Sequence, residues 1–271
     1  MSLPLLTGCV AQASAGGGGG EVTDIENLSH WWKMPSPGEA SPPTSMIDVA
    51  TNSTTRQNIA ASNITVAAGD RTLGANTFDA YDFNGSSSHS RQLNKATFMA
   101  DTFSLTCWIK IASITTWDSI YSVGVTNGGW NTGLMLFFTT SAIANGYSSG
   151  VEIPANSIVW GSDGYSNSVG AATAYAASPS VGSWAHVAVT LDVSGQTQEI
   201  YINGVAGTSP SGTIVTPGVF NSSYYMAVGS LAYHVWYNNF FFDGNMSDFR
   251  IYQSCLTSSQ VAAIYEGDWA P

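Results

Sequence analysis

The stretch WAHVAVTLDVSGQTQEIYINGV, Trp184 to Val205, contains two runs in which apolar residues recur at every second position. That period places alternate side chains on opposite faces of an extended chain, so each run is typical of a β-strand. In the second run, Asn203-Gly204 supplies the two positive φ angles that a type I′ hairpin turn requires. The stretch therefore predicts neighbouring strands and a tight hairpin turn.

The same alternation recurs in FSLTCWIK (Phe103 to Lys110) and MSDFRIY (Met246 to Tyr252), and helical periodicity is nearly absent from the chain. Clusters of Gly, Ser, Asn and Pro separate the strand signals. The exception is LTSSQVAAIYEG, where Thr257 or Ser258 could cap a short helix that ends at Gly267. We therefore predict a single all-β sandwich with a short C-terminal helix.

Five stretches in chain order resemble the laminin-G-like, concanavalin A-like jelly-roll family, which also includes the pentraxins. They cover roughly residues 28 to 265, and they are LSHWWKM with MIDVATNSTTRQNI, YDFNGSSSHSRQL, FSLTCWIK, WAHVAVTLDVSGQTQEIYINGV and FFFDGNMSDFRIYQSCLTSSQVAAIY. The resemblance implies two antiparallel sheets packed face to face in a jelly-roll sandwich.

The chain departs from the pentraxin pattern at its cysteines. Pentraxins pair the cysteine of the FSLTCWIK-like strand with one in the WAHVAV-like strand, but this chain has Cys107 in the first and Ala188 where the partner would fall. The pentraxin calcium ligands cannot be matched residue by residue either, so we expect no metal and no cofactor.

Three cysteines are an odd count, from which no complete disulfide framework can be inferred. Cys107 lies in an apolar run and is expected to be a small buried hydrophobic residue. A bridge between Cys107 and Cys255 is the alternative, which spacing alone cannot decide.

The charge pattern limits the partners that the chain can bind. Charged residues make up 9% of the chain and the net charge is −11, with no Lys or Arg between Lys110 and Arg250. Because nucleic-acid binders and proteins that bind anionic membranes use such cations, we expect neither partner. No apolar run approaches the roughly 18 residues that a membrane span requires, so membrane insertion is not expected.

Residues 1–20 differ in composition from the predicted sandwich, which we assign to residues 21–271. They combine an apolar start containing Leu3, Leu5 and Leu6 with five consecutive glycines from Gly16 to Gly20. Glycine loses the most backbone entropy on ordering, so such an arm needs a partner to become ordered. We expect the arm to dock on other protein chains of an assembly.

The beginning of the chain has one feature of a processing signal. Leu6-Thr7-Gly8-Cys9 has the pattern of a lipoprotein box, but no basic region precedes it and its apolar part is far shorter than a signal needs. We expect an uncleaved start.

The acidic residues near the start provide no convincing catalytic pair. Glycoside hydrolases of this fold place carboxylates at alternating positions of one strand, and the nearest imitation is Glu21-Val-Thr-Asp24-Ile-Glu26. In an extended chain Glu21 would point away from Asp24 and Glu26. We expect no catalytic residues.

Aromatic residues in two predicted loops are the candidate contact residues. They are Trp130, Tyr233, Trp236 and Tyr237, and rings with a polar tip suit a sugar face or a protein interface. Capping of the core is the alternative role for them. The following Phe240, Phe241 and Phe242 lead into a predicted strand and are expected to be structural.

Three functions remain open. We favour a non-enzymatic structural or assembly protein, oligomeric or assembly-bound, such as a bacteriophage capsid-decorating or tail protein on the surface of the virion. The alternative is an extracellular carbohydrate-binding or adhesion module, which the resemblance favours and the loop aromatics permit. A glycoside hydrolase is the third. Fold resemblance alone does not choose among them.

Overall fold

The computed structural model describes residues 28–32, 43, 45–46, 58–73, 76–93, 102–124, 133–143, 152–162, 173–209, 225–231 and 240–267. These residues form strands and one helix, with the following bounds: β1 (Leu28–Trp32), β2 (Ser45–Met46), β3 (Ile59–Ser62), β4 (Thr65–Leu73), β5 (Asn76–Asn84), β6 (His89–Leu93), β7 (Thr102–Ser113), β8 (Ser119–Gly124), β9 (Gly133–Thr139), β10 (Ser157–Ser162), β11 (Thr173–Ala177), β12 (Trp184–Asp192), β13 (Thr197–Ile202), β14 (Val205–Ala206), β15 (Tyr225–Val228), β16 (Asp243–Tyr252) and α1 (Ser258–Glu266).

The strands form two antiparallel sheets. The first sheet has the order β14-β13-β12-β7-β16-β5-β4, and β1 also pairs with β16. The second sheet has the order β11-β10-β9-β8-β15-β6-β3-β2. The predicted two-sheet antiparallel sandwich with a short C-terminal helix is therefore confirmed. The predicted arm, residues 1–20, lies outside the described residues.

The predicted local elements are present. FSLTCWIK lies in β7, WAHVAVTLDV covers all of β12 and MSDFRIY ends β16. Asn203 and Gly204 have φ angles of 51° and 77°, as a type I′ turn requires. Thr257 caps α1 through a reciprocal capping box with Gln260, and Gly267 ends the helix at a φ of 78°.

The main core lies between the two sheets and is rich in large aromatic side chains. Phe103 of the first sheet meets Trp160 of the second edge-on, with ring centroids 6.1 Å apart. Phe242, which directly precedes β16 of the first sheet, is fully buried and stacks on Phe138 of β9 in the second sheet, with ring centroids 6.4 Å apart. Contacts of this kind hold the two sheets together, because each large ring removes a wide apolar area from water.

A second apolar cluster covers the outer face of the first sheet. Val261 and Ile264 of α1 pack there with Ala188, Tyr201 and Tyr252. Strand β12 is consequently buried on both faces, although its alternating sequence would also suit a half-exposed strand. Within the described residues, no helix combines the length and the apolar character that crossing a membrane demands.

The structure shows the state of Cys107. Cys107 is a free thiol in the core between the sheets, so its expected role as a buried hydrophobic residue is confirmed. The alternative bridge between Cys107 and Cys255 is wrong, since the side chain of Cys107 points into the apolar core.

Candidate functional site

The contact residues predicted from the sequence lie outside the described residues. This applies to Trp130, Tyr233, Trp236 and Tyr237, and to the arm positions Leu3, Leu5, Leu6, Gly16 and Gly20. It also applies to Glu21, Asp24 and Glu26. Their assigned roles stay predictions.

The outer face of the second sheet carries a different group of apolar and aromatic side chains. The cross-strand partners Phe137, Val159 and Tyr175 form one row over β9, β10 and β11. The strand spacing of about 4.8 Å makes this row roughly 10 Å wide. The residues on either side of each row member in its strand face the core, so alternation directs the row itself outward.

The outward row has a buried base and a partly exposed rim. Phe137, Val159 and Ile153 are buried, and the partly buried side chains packed against them are Trp117, Met135, Ile143 and Tyr175. We call these seven residues the aromatic face. Its accessible rim consists of rings and flexible apolar side chains, which is typical of a contact surface.

Trp117 is the dominant ring of the aromatic face. It stacks on Phe137 with a centroid separation of 4.9 Å and an interplanar angle of 19°. Phe240 approaches Trp117 edge-on at 6.4 Å. Phe241 and Phe242 are buried, as expected, whereas Phe240 stays partly exposed because it packs against this surface ring instead of entering the core.

The backbone of Trp117 is held in a conformation that a bulky residue rarely adopts. Its φ is 82°, in the left-handed region. A conformation of this kind costs on the order of 1–3 kcal/mol and persists only where the surroundings impose it. Residues held in this way concentrate at ligand-binding and catalytic sites, so the strain makes Trp117 a candidate ligand-contacting residue.

Hydrogen bonds on both sides of Trp117 impose this conformation. The backbone N–H of Trp117 donates to the carbonyl of Phe138 at 2.8 Å, and the N–H of Phe138 donates to the carbonyl of Asp118 at 3.0 Å. The Asp118 carboxylate closes the turn by accepting from the N–H of Thr115 at 2.6 Å and from its hydroxyl at 2.5 Å. These bonds fix the backbone from which the Trp117 ring projects.

Asp118 is the carboxylate next to the stacked rings, and its environment favours a structural role. Burial raises its pKa, the two hydrogen bonds from Thr115 lower it, and the charge of Asp243 raises it further. Both of its oxygens accept hydrogen bonds from Thr115, so the carboxylate faces the backbone turn that it closes. Among the described residues no group of His, Cys, Asp or Glu could hold a metal ion.

Sequence reasoning missed Trp117 and Tyr175, although a signal for Trp117 was present. The segment Thr115-Thr-Trp-Asp118 places a hydroxyl and a carboxylate three residues apart between two apolar strands, which is typical of a tight turn. A tryptophan inside such a turn has little core to enter. Tyr175 had no comparable signal, because its outward direction depends on the strand pairing.

Comparisons with known proteins agree with this fold. Residues 84–262 match the profile of the Laminin_G_3 family, described as the concanavalin A-like lectin/glucanases superfamily. The chain belongs to this family. No curated protein sequence matches the chain.

Solved structures with the same fold include two from carbohydrate-active proteins. One is domain 4 of AbnA, a GH43 extracellular arabinanase from Geobacillus stearothermophilus, in complex with arabinotriose; it is 20% identical with a TM-score of 0.59, and the match covers 88% of this chain and 98% of that domain. The other is the Trypanosoma rangeli sialidase, which is 13% identical with a TM-score of 0.59. The second match covers 90% of this chain and 34% of the sialidase, so the present chain corresponds to about a third of that enzyme. At these identities both likenesses concern the fold.

Proposed function

We propose that the chain is a carbohydrate-binding module and that the aromatic face is its sugar-contacting surface. The proposal rests on Trp117. Its partly exposed ring stacks on Phe137, and its backbone is held at a φ of 82°. Sugar rings present apolar C–H faces that pack on aromatic rings, and a rigid ring loses little entropy when a ligand binds.

The neighbours in fold space support this proposal better than they support a virion protein. The arabinanase domain with this fold is in complex with arabinotriose. The assembly role inferred from residues 1–20, and with it a location on a virion, stays a prediction that the described residues do not address. We propose binding without turnover, because Asp118 is occupied by its turn.

The test is a titration of the chain with a panel of oligosaccharides, followed by calorimetry or by ligand-observed NMR. We expect Trp117→Ala to lower the affinity for the tightest-binding oligosaccharide by at least about tenfold, a loss of roughly 1.4 kcal/mol in binding free energy. The matched control is Trp184→Ala, because Trp184 is also partly exposed but lies on the first sheet and donates to the carbonyl of Asp70 at 2.9 Å.

Trp130→Ala and Trp236→Ala belong in the same series, since both tryptophans are predicted contact residues. A loss confined to these two variants would move the binding site away from the aromatic face. A panel without any bound saccharide would overturn the proposed function.

A further inference from the structure

A cleft of about 510 Å³ opens at the edge of the sandwich, where the last strand of the second sheet meets the last hairpin of the first sheet. Its walls are residues 154–157 and 175–177 on one side and residues 202 and 205–208 on the other. Tyr175 belongs both to this edge cleft and to the aromatic face. The two surfaces are therefore continuous.

At one end of the edge cleft the two walls are joined by a short antiparallel β-bridge, beyond which they separate. At its closed end the N–H of Tyr175 donates to the carbonyl of Thr208 at 3.1 Å, and the N–H of Thr208 donates to the carbonyl of Tyr175 at 2.7 Å. A side chain at Gly207 would meet the Tyr175 carbonyl oxygen at 2.5 Å, so only glycine permits this approach. An antiparallel ladder continued from this pair would next join Ala177 to Ala206.

That next pair is not made. The N–H of Ser178 donates to the carbonyl of Asn156, and the N–H of Gly207 donates to the carbonyl of Ile200. By the alternation of antiparallel pairing, the backbone groups of Ala177 and Ala206 then point away from their own sheets. Both alanines are exposed, and the structure contains one bridge between these two segments, at Tyr175 and Thr208, among the described residues. The backbone N–H and carbonyl groups of Ala177 and Ala206 are therefore directed to the space between the two walls.

We propose that the edge cleft is a binding subsite for a neutral saccharide unit, an inference that rests on the proposed carbohydrate-binding function. Sugar hydroxyls both donate and accept, so one unit can satisfy an N–H and a carbonyl on each wall. An added peptide strand needs a row of such groups along one edge, whereas Tyr175 and Thr208 already close the ladder beside Ala177 and Ala206.

The lining of the edge cleft selects against charged sugars. The side chains that line it are uncharged, including the ring of Tyr175 and the exposed amide of Asn156. A carboxylate placed there would lose hydration without gaining a cationic partner. The net charge of −11 adds a general repulsion of acidic saccharides.

The experiment blocks the cleft with a ring and compares ligand classes. Val205→Phe places a ring in the cleft, because Val205 is 69% exposed and its hairpin partner Ile202 packs against the core between the sheets. Ala155→Phe enlarges an exposed residue of the opposite wall. The matched control is Val181→Phe, because Val181 is 56% exposed and does not line the cleft. The probes are arabinotriose, xylotriose and maltotriose as neutral ligands, and N-acetylneuraminic acid and trigalacturonic acid as acidic ligands. Affinity is measured by calorimetry, and thermal unfolding verifies the fold of each variant.

The expected result is that a neutral trisaccharide binds more tightly than either acid. Each cleft variant that folds then lowers the affinity for that trisaccharide by at least about tenfold, and Val181→Phe leaves the affinity unchanged. Neutral binding that both cleft variants leave unchanged would overturn the subsite, and tighter binding of an acid would overturn its neutral class.

The same series separates this inference from the proposed function. If Trp117→Ala removes binding while both cleft variants retain it, carbohydrate binding stands and the subsite is overturned. If the cleft variants remove binding while Trp117→Ala retains it, the subsite stands and the aromatic face is not the contact surface. If the wild-type chain binds none of the five probes, both proposals are overturned.

Discussion

The indole Nε1 of Trp31 donates a hydrogen bond of 2.6 Å to Oδ1 of Asp248, across 217 positions of sequence. Asp248 lies at a bulge in β16 with a φ of 60°. Its other oxygen accepts from Arg250 at 2.7 Å and lies 3.6 Å from a guanidinium nitrogen of Arg71. One buried carboxylate thus links β1, β4 and β16 on the outer face of the first sheet.

Asp248 should be among the most sensitive positions for stability. Asp248→Ala leaves the guanidinium groups of Arg71 and Arg250 without this carboxylate in a buried setting, and breaking such a pair costs about 3–5 kcal/mol. Asp248→Asn is the matched variant, since Asn tolerates the left-handed backbone and can still accept from Trp31. We expect urea unfolding to show a smaller loss for Asp248→Asn than for Asp248→Ala. Equal losses would mean that the hydrogen-bond geometry does not contribute.

His186 should make the fold sensitive to mild acid. Burial lowers its pKa to about 3, with a further lowering by Arg250, although Asp248 opposes it. An unfolded His has a pKa of about 6.5, so below that pH the unfolded state binds the extra proton. Stability is therefore complete above about pH 6.5 and falls as the pH decreases toward 3, by up to about 1.4 kcal/mol per pH unit.

The variant that tests this linkage is His186→Phe. It keeps a ring beside Trp108 and Tyr265, whose centroids lie 5.3 Å and 6.3 Å from that of His186. Both ring nitrogens of His186 lack a hydrogen-bond partner among the described residues, so the substitution leaves no new unsatisfied group there. Unfolding free energies at pH 7 and pH 5 should differ less in His186→Phe than in the wild type. An unchanged difference would contradict the assignment.

Two substitutions at Trp117 should separate backbone strain from ring contact. At a φ of 82° a glycine has no Cβ penalty, whereas an alanine keeps it. We expect Trp117→Gly to be more stable than Trp117→Ala by about 1 kcal/mol in chemical denaturation. Saccharide binding should be lost equally in both, since both lack the ring. If Trp117→Ala is the more stable variant, the left-handed conformation is not imposed on this turn.

Cys107 should be chemically inert in the folded protein. Its thiol is fully buried and burial raises its pKa, so the reactive thiolate is scarce at neutral pH. Iodoacetamide should label Cys107 in urea and not in native buffer, as read by peptide mass spectrometry. Native labelling at a rate close to that of the unfolded chain would show that the core opens readily at β7.

The sequence alone determined the fold class, because strand alternation, the Asn203-Gly204 turn and the end of the helix at Gly267 are local signals. Each depends on the period of the side chains or on backbone angles that few residue types adopt. The same local reasoning identified Cys107 as a core residue.

Only the tertiary structure decided which rings share a surface. Trp117 and Tyr175 are 58 positions apart in the chain, and the strand pairing brings both to the aromatic face. The split between Ala177 and Ala206 likewise exists because two strands of different sheets converge at Tyr175 and then diverge. No local pattern encodes such a site, since it depends on register and on how the two sheets meet at their edge.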